Sequence, residues 1–220
     1  VLVDTLNLPN YWLEPYTSVL NEGNRVCISG REGLWILELD DSNDIADSVF
    51  VENIDQRRLS MAIKDNILMG TRGRGIELTD ISDLDQIEYL GLIYDDLDIS
   101  TLEIRDELLY TFDYNDFMIV DINNPEDPRI VSINDQHTVG AMYFAFSGDT
   151  GYFINTDRSC RIVDLTNPES VEEISNCFLG NHPQSITTFD HGFITSVDYA
   201  EEPFGFEIFE PNENNEYELS

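Results

Sequence analysis

The stretch Met118-Ile119-Val120-Asp121-Ile122-Asn123-Asn124-Pro125-Glu126-Asp127-Pro128 joins a short apolar run to an Asp and an Asn-Pro turn. It returns almost unchanged as Arg161-Ile162-Val163-Asp164-Leu165-Thr166-Asn167-Pro168-Glu169. Two such copies in one chain indicate a repeated unit. The period of the repeat and the content of each unit therefore predict the fold.

Fainter copies of this unit occur at 34–42, 75–84 and 206–212, and residues 2–6 resemble one more, degenerate, copy. The acidic residue of each copy serves as a marker of the period. These markers are Asp40, Asp80, Asp121, Asp164 and Glu207, with spacings of 40, 41, 43 and 43 residues. A fixed period of about 40–45 residues is the length of one propeller blade.

The content of each period indicates strands. No unit holds ten or more residues with apolar positions at helical spacing. Short runs rich in Ile, Val, Leu, Phe and Tyr alternate instead with Gly, Asn, Asp and Pro turns. In the third unit the runs are Ile99–Ile104, Leu108–Phe112, Phe117–Ile122 and Arg129–Ile133. Four short antiparallel strands make one blade, so we predict an all-β chain, a β-propeller with about five to six four-stranded blades.

The pattern Ile-Val-Asp-Ile/Leu-x-Asn-Pro after a Leu-Tyr or Gly-Tyr-Phe strand resembles the LVIVD repeat of bacterial and archaeal surface or secreted propellers. The match is close at 118–128 and 161–169, moderate at 75–84, and weak at 34–42 and 206–212. The resemblance implies the propeller fold and an extracellular or cell-surface location, with the periplasm as an alternative. It carries no shared catalytic motif, so no functional residue is transferred from the family.

We expect a single domain over residues 1–220. The predicted blades are a partial one at 1–13 and fuller ones at 16–53, 58–91, 97–134, 139–178 and 184–219. Either the N-terminal strands close a ring of five or six blades, or the ring continues outside this chain. Larger rings in the family favour the second arrangement. The chain begins with Val, so we also expect it to be processed or excised from a longer protein.

Charge is the unusual feature of the composition, with 44 acidic against 11 basic residues and a formal net charge of −33. Nucleic acid and anionic membrane surfaces need a positive footprint, so neither is expected as a partner. No run of about 18 apolar residues is present, so we expect no membrane insertion. The remaining partners are another protein, further copies of the chain, or a small anionic ligand.

The acidic marker is interpreted as a structural residue. An Asp at a strand end accepts hydrogen bonds from backbone N–H groups of the next turn, and the following Pro fixes φ there. A catalytic residue is needed once, whereas this one recurs in every blade. We therefore predict that the five marker residues cap turns.

The cysteines suggest one crosslink. Cys160 and Cys177 lie at the outer ends of two strands joined by an Asn-Pro turn, so antiparallel pairing brings them together and we predict a disulfide. Such a bond points to an oxidising compartment. The alternative is two unrelated buried thiols. Cys27, in the apolar run Val26–Ile28, is expected to be a small core residue.

Loops expected at one mouth of the central channel hold six of the eleven basic residues and two of the three histidines. These candidate ligand- or partner-binding residues are Arg31, Arg57, Arg58, Arg72, Arg74, His137, Arg158 and His182. Arg is suited to bidentate contacts, so the loops suggest a pocket for a carboxylate or sulfate. The alternative, slightly favoured, is that these Arg residues neutralise neighbouring acids.

Metal sites receive weaker support. His137 and His182 with Asp135 lack a fixed third ligand. Clustered aspartates offer oxygen ligands for Ca²⁺, the one candidate cofactor. The candidate calcium ligands are Asp95, Asp96, Asp98, Asp113 and Asp116. No complete calcium-loop spacing is present among them.

No nucleophile elbow, triad or phosphate-binding Gly loop is found, so we assign no catalytic residue. The leading prediction is a non-catalytic secreted or surface propeller that acts as a protein-binding or scaffolding module. The alternative is an extracellular hydrolase or lyase acting on polysaccharide or another anionic substrate through carboxylates at the channel mouth. An enzyme predicts a pocket where acids with shifted pKa values converge, whereas a scaffold predicts a repeated or apolar face.

Overall fold

A computed structural model describes residues 18–30, 33–52, 60–71, 74–113, 116–134, 141–180, 182–189, 192–199, 202–214 and 216–219. Their regular structure consists of strands in five four-stranded antiparallel sheets. The prediction of an all-β propeller with four-stranded blades is confirmed. The described residues contain no helix of the length and apolarity that a membrane crossing requires.

Each sheet takes four consecutive strands and keeps them in chain order. The first sheet holds β1 (Ser18–Glu22), β2 (Arg25–Gly30), β3 (Gly33–Leu39) and β4 (Ile45–Glu52), and the second holds β5 (Met61–Lys64), β6 (Ile67–Thr71), β7 (Ile76–Asp80) and β8 (Glu88–Ile93). The third holds β9 (Ile99–Arg105), β10 (Leu108–Asp113), β11 (Asp116–Asp121) and β12 (Arg129–Asn134). The fourth holds β13 (Ala141–Ser147), β14 (Thr150–Asn155), β15 (Ser159–Asp164) and β16 (Glu172–Phe178), and the fifth holds β17 (His182–Phe189), β18 (Gly192–Tyr199), β19 (Glu202–Pro211) and β20 (Tyr217–Leu219). The predicted partial blade at 1–13 lies outside the described residues.

The described chain divides into two compact units. One holds the described residues up to Asp113 with Val120–Arg129, and the other holds the remainder. In the first unit the first strands of consecutive sheets contact each other, β1 with β5 and β5 with β9. In the second unit β13 contacts β17 in the same way. The first strand of each sheet is therefore placed as the innermost strand of a propeller blade.

Middle strands are apolar on both faces because neighbouring sheets cover both. All five residues of β6 are buried, as are four of the six residues in β11. In the first unit Cys27 and Ile36 of the first sheet pack with Leu68 of the second. In the second unit Tyr152 and Ile162 pack with Phe193 and Phe209, whose rings stack 4.9 Å apart. Cys27 is fully buried, as predicted.

The last strand of each sheet is an edge strand, and three of these edges carry a bulge. One extra residue is inserted opposite β3 at Ala46, opposite β7 at Leu90 and opposite β15 at Ile174. A bulge bends the strand and interrupts its row of free backbone groups. The edges are thereby protected from pairing with the edge of another sheet.

The marker aspartates cap turns, as predicted, in the first four sheets. A carboxylate oxygen accepts the backbone N–H two residues ahead, at 2.8 Å in Asp40–Ser42, Asp80–Ser82 and Asp164–Thr166 and at 2.9 Å in Asp121–Asn123. The N–H and then the hydroxyl of Ser82 lower the pKa of Asp80. For Asp164 the hydroxyl of Thr166 is the larger cause of a lowered pKa, followed by the N–H.

The same prediction is wrong for Glu207. This side chain is buried in β19 and accepts the backbone N–H of Gly180 at 3.1 Å. The turn of the last sheet is capped instead by Asn212, whose Oδ1 accepts the N–H groups of Asn214 and Glu216 at 2.8 and 3.0 Å. An Asn oxygen accepts these bonds as an Asp oxygen does, so the uncharged Asn212 caps this turn as Asp caps the others.

The predicted disulfide is not present. Cys160 and Cys177 lie directly opposite each other in β15 and β16, so the predicted proximity is correct. Both are free, buried thiols. Burial and then the hydrogen bond to Cys177 raise the pKa of Cys160. Oxidation to a disulfide proceeds through a thiolate, and a buried thiol with a raised pKa supplies little of it.

We expect the Asp80→Ala variant to lose about 1 kcal/mol of unfolding free energy, because the N–H of Ser82 loses its acceptor. Asp80→Asn keeps an acceptor oxygen and should lose less than half of that amount. Urea unfolding at pH 7 measures both variants. Asp85→Ala, at an exposed position of the same turn, is the control and should change stability by less than about 0.5 kcal/mol. Equal losses in all three variants would contradict the capping role.

Candidate functional site

A cavity of about 210 Å³ lies in the first unit, between the first strands of the first three sheets. The residues that line it are Leu20 and Glu22 of β1, Met61, Ala62 and Ile63 of β5, and Leu102, Glu103 and Ile104 of β9. Six of these residues are apolar and two are glutamates. Because the cavity is built on paired strands, its shape is fixed by the sheets and not by a loop.

Hydrogen bonds hold β5 and β9 at both ends of this wall. The hydroxyl of Ser60 accepts the N–H of Leu102 at 2.9 Å and donates to the Leu102 carbonyl at 3.4 Å. At the other end, Nζ of Lys64 donates to Glu107 Oε1 at 3.0 Å and to the Asp106 carbonyl at 3.3 Å. These bonds tie the second sheet to the third beside the cavity.

Glu103 is the chemically unusual residue of the cavity. Burial raises its pKa from 4.5 to about 7, while the positive charge of Arg105 acts in the opposite direction. Glu103 pairs across strands with Tyr110, and the Arg105 guanidinium carbon lies 5.8 Å from the Tyr110 ring centroid. The carboxyl therefore exchanges its proton near neutral pH, which exposed glutamates do not do.

The other charges at the cavity leave it acidic. Glu22 is exposed and ends β1. Lys64 ends β5, and its charge is taken up by Glu107, whose hydrogen bond raises the pKa of Lys64. Within the described part of the chain, Arg105 is the cation that lowers the pKa of Glu103. Glu22 and Glu103 are the two charged residues among the eight that line the cavity, and none of the eight is basic.

Most of the predicted Arg and His site lies outside the described residues. The residues concerned are Arg31, Arg57, Arg58, Arg72 and His137. His182 is the first residue of β17, and its side chain is likewise outside the description.

Two residues of that predicted site are described. Arg74 is exposed in the loop between β6 and β7. Arg158 is exposed between β14 and β15 with a left-handed φ of 70°. The anion pocket stays a prediction.

The predicted calcium ligands are described, but they have other roles. Asp113 Oδ1 accepts the N–H of Asp98 at 3.0 Å, and Asp95 and Asp96 lie in the turn closed by the bond from the Leu97 N–H to the Tyr94 carbonyl. Throughout the described ranges, no three His, Cys, Asp or Glu side chains come together as metal ligands. The calcium site stays a prediction.

Sequence reasoning placed function in the loops and missed the strand residue Glu103. One signal was available. Glu103 lies two residues before the end of the first strand of its sheet. The equivalent position in each of the other four sheets holds an uncharged residue, namely Leu20, Ala62, Ala145 and Thr187. Glu103 is the one charge in this series, and it follows the apolar Leu102 within β9. Its raised pKa, however, comes from burial in the folded chain, which the local sequence does not show.

Solved structures with the same fold were found. The N-terminal domain of Nup159 superposes with a TM-score of 0.60 at 11% identity over 97% of this chain and 62% of its own. A protein from Desulfotomaculum acetoxidans DSM 771, described as functionally unknown, has a TM-score of 0.69 at 13% identity over 93% of this chain and 68% of its own. Hsv2 of Kluyveromyces marxianus has a TM-score of 0.60 at 10% identity over 92% and 69%.

At these identities the resemblance establishes the propeller fold alone. The chain spans 62% of the length of the Nup159 domain, less than two thirds. No family model matches the sequence, and no curated protein matches it.

We expect Glu103→Gln to become more stable than the wild type as the pH rises. The folded state raises the pKa of Glu103 from 4.5 to about 7. Protonation of Glu103 therefore stabilises the wild type fully below pH 4.5, and this stabilisation is lost as the pH rises through 7. With its partial exposure taken into account, the variant should gain about 1 to 2 kcal/mol between pH 5 and 8. Urea unfolding across this range measures the gain. Glu88→Gln, an exposed change on β8, is the control, and parallel curves for Glu103→Gln and wild type would refute the raised pKa.

Proposed function

We propose that this chain is a non-catalytic β-propeller that acts as a protein-binding or scaffolding module at the cell surface or in the extracellular medium. The observation that carries the proposal is the cavity between β1, β5 and β9. Six of its eight lining residues are apolar and two are glutamates, and none is Ser, Thr, Cys, His, Lys or Tyr. Such a lining offers no hydroxyl, thiol, imidazole or amine nucleophile, and its two carboxylates are its only groups suited to catalysis.

The fold neighbours agree with a binding role. One matching structure is the S. cerevisiae complex in which Dbp5 is bound to Nup159 and Gle1. The proposed location outside the cytoplasm rests on the resemblance of 118–128 and 161–169 to the LVIVD repeat. Membership in that family is part of the proposal.

Charge defines the class of partner. With a formal net charge of −33, the chain attracts basic segments and repels acidic ones, and this steering acts over distances near the Debye length. A protein with an exposed basic segment therefore fits the surface better than an acidic protein or an anionic polysaccharide.

An extracellular hydrolase or lyase is the second candidate, and one observation favours it. Glu103 has a pKa of about 7, the value that a general acid needs near neutral pH, and Glu22 supplies a second carboxylate in the same cavity. The volume is below the roughly 300 Å³ at which pockets for small organic ligands begin. This size favours a side chain over a polysaccharide segment.

A library of random peptides tests the binding role. At about 0.15 M salt, we expect the purified protein to enrich peptides in which a basic residue stands beside apolar residues. Scrambled versions of the enriched peptides, with the same net charge, are the control and should bind at least about tenfold more weakly. Equal binding of the scrambled peptides, or no enrichment at all, would contradict the binding role, and turnover of a polysaccharide that Glu103→Gln abolishes would favour the enzyme.

A further inference from the structure

We propose that the outward face of the fifth sheet docks an extended segment of the protein partner. This surface, the fifth-sheet face, consists of Ile194 of β18 and of Phe206, Ile208 and Glu210 of β19. The docked segment has apolar residues at alternate positions and a basic residue beyond them. The proposal rests on the proposed binding function and deepens it by naming the surface and the pattern that it recognises.

Alternation along β19 separates this face from the core. Phe209 is buried and stacks on Phe193, in the cluster that joins the fifth sheet to the fourth. Successive side chains of a strand point to opposite faces, so Phe206 and Ile208 lie on the other face. They are 75% and 39% exposed. Ile194 is the cross-strand partner of Ile208, so it lies on the same face.

The corresponding row of the first sheet is covered. Cys27 and Ile36 pair in the row that begins two residues before the end of β1, and Ile194 and Ile208 pair in the equivalent row of the fifth sheet. Cys27 and Ile36 are fully buried in the cluster that joins the first sheet to the second. The fifth-sheet face therefore has apolar side chains where another sheet uses such side chains for packing, but it is open to solvent at Phe206 and Ile208.

The spacing of the exposed side chains fits an extended segment. Alternate residues of a strand lie about 6.8 Å apart, so Phe206 and Ile208 match two apolar residues at alternate positions of a facing strand. Strands packed face to face in this way interdigitate their side chains across roughly 10 Å. Two exposed apolar side chains in one row thus favour a partner segment that is itself extended.

Charge at one end of the row favours a basic residue in that segment. Glu210 continues the row beyond Ile208 and is exposed, as is its cross-strand partner Glu218. The amide of Asn212 donates to Glu218 Oε1 at 2.8 Å but brings no charge. Like charges directly opposite each other are destabilising, so a lysine or arginine beside them relieves the repulsion. The recognised pattern is apolar, apolar and basic at positions i, i+2 and i+4, or the same order reversed.

A second copy of the chain is the competing occupant. Each copy has a formal net charge of −33, so like-charge repulsion opposes the association of two copies. The exposed carboxylates of Glu210 and Glu218 add to that repulsion at this face. We expect the purified chain to sediment as a monomer at the concentrations used for binding. Self-association that Phe206→Ser abolishes would overturn the assignment to a separate partner.

Synthetic peptides test the pattern. The first probe is acetyl-Leu-Thr-Leu-Thr-Lys amide, the second has Glu in place of Lys, and the third has the composition of the first in the order Leu-Leu-Lys-Thr-Thr. Each is titrated against the whole chain by NMR at pH 7 and about 0.15 M salt. We expect the first probe to shift the methyl signals of Ile194 and Ile208. The other two should bind at least about tenfold more weakly.

Two exposed phenylalanines give a matched pair of variants. Phe206→Ser should weaken the first probe about tenfold. Phe178→Ser changes a side chain that is 72% exposed on β16 of the fourth sheet, and it should leave binding unchanged. Because both side chains are largely exposed, neither change should prevent folding.

Charge reversal separates this face from general attraction to an acidic protein. Glu210→Lys should invert the preference, so that the probe with Glu binds more tightly than the probe with Lys. Glu88→Lys makes the same change in net charge at an exposed position of β8. It should leave the preference for the probe with Lys in place.

Equal binding of the first probe to Phe206→Ser and wild type, or equal binding of the Lys and Glu probes to wild type, would overturn the docking face. If the probes fail while the library still enriches specific peptides, the docking face is wrong and the binding function stands. If the library enriches nothing, the binding function itself is refuted.

Discussion

Burial of both faces of the middle strands is the constraint on which this structure depends. A strand such as β6, with all five residues buried, cannot remain in water as part of a single sheet. Each sheet therefore needs its sequence neighbour, as Leu68 of the second sheet needs Ile36 of the first. Repetition at a period near forty residues follows, because every unit must offer the same two apolar faces.

That constraint also separates structural from functional residues. The caps Asp40, Asp80, Asp121 and Asp164 recur because every sheet has the same turn to close, and their oxygens are occupied by backbone N–H groups. Glu103 does not recur. A charge placed once at an inner-strand position, where it is desolvated and still reaches a cavity, has no structural task that the other sheets share. Residues that differ between the sheets, as Glu103 does, are therefore the positions at which the proposed binding function would be sought.

Much of the fold was predictable from local pattern, and much of the site was not. The predicted strand Ile99–Ile104 differs from β9 by one residue, because strand ends follow Gly, Asn, Asp and Pro turns that are visible in the sequence. Glu207 misled the alignment because Asn212 performs the capping with a different side chain. The predicted hairpin, now seen as β15 and β16, correctly placed Cys160 opposite Cys177. The pKa of Glu103 did not follow from any local pattern, because its main cause is burial in the folded chain.

The central claim is that Glu103 is a desolvated carboxyl on an inner strand, at the cavity between β1, β5 and β9. The most direct measurement is the titration of the Glu103 side-chain carboxyl carbon by NMR in the folded protein. The account predicts a midpoint near pH 7. A midpoint near 4.5, the value of an ordinary glutamate, would contradict it.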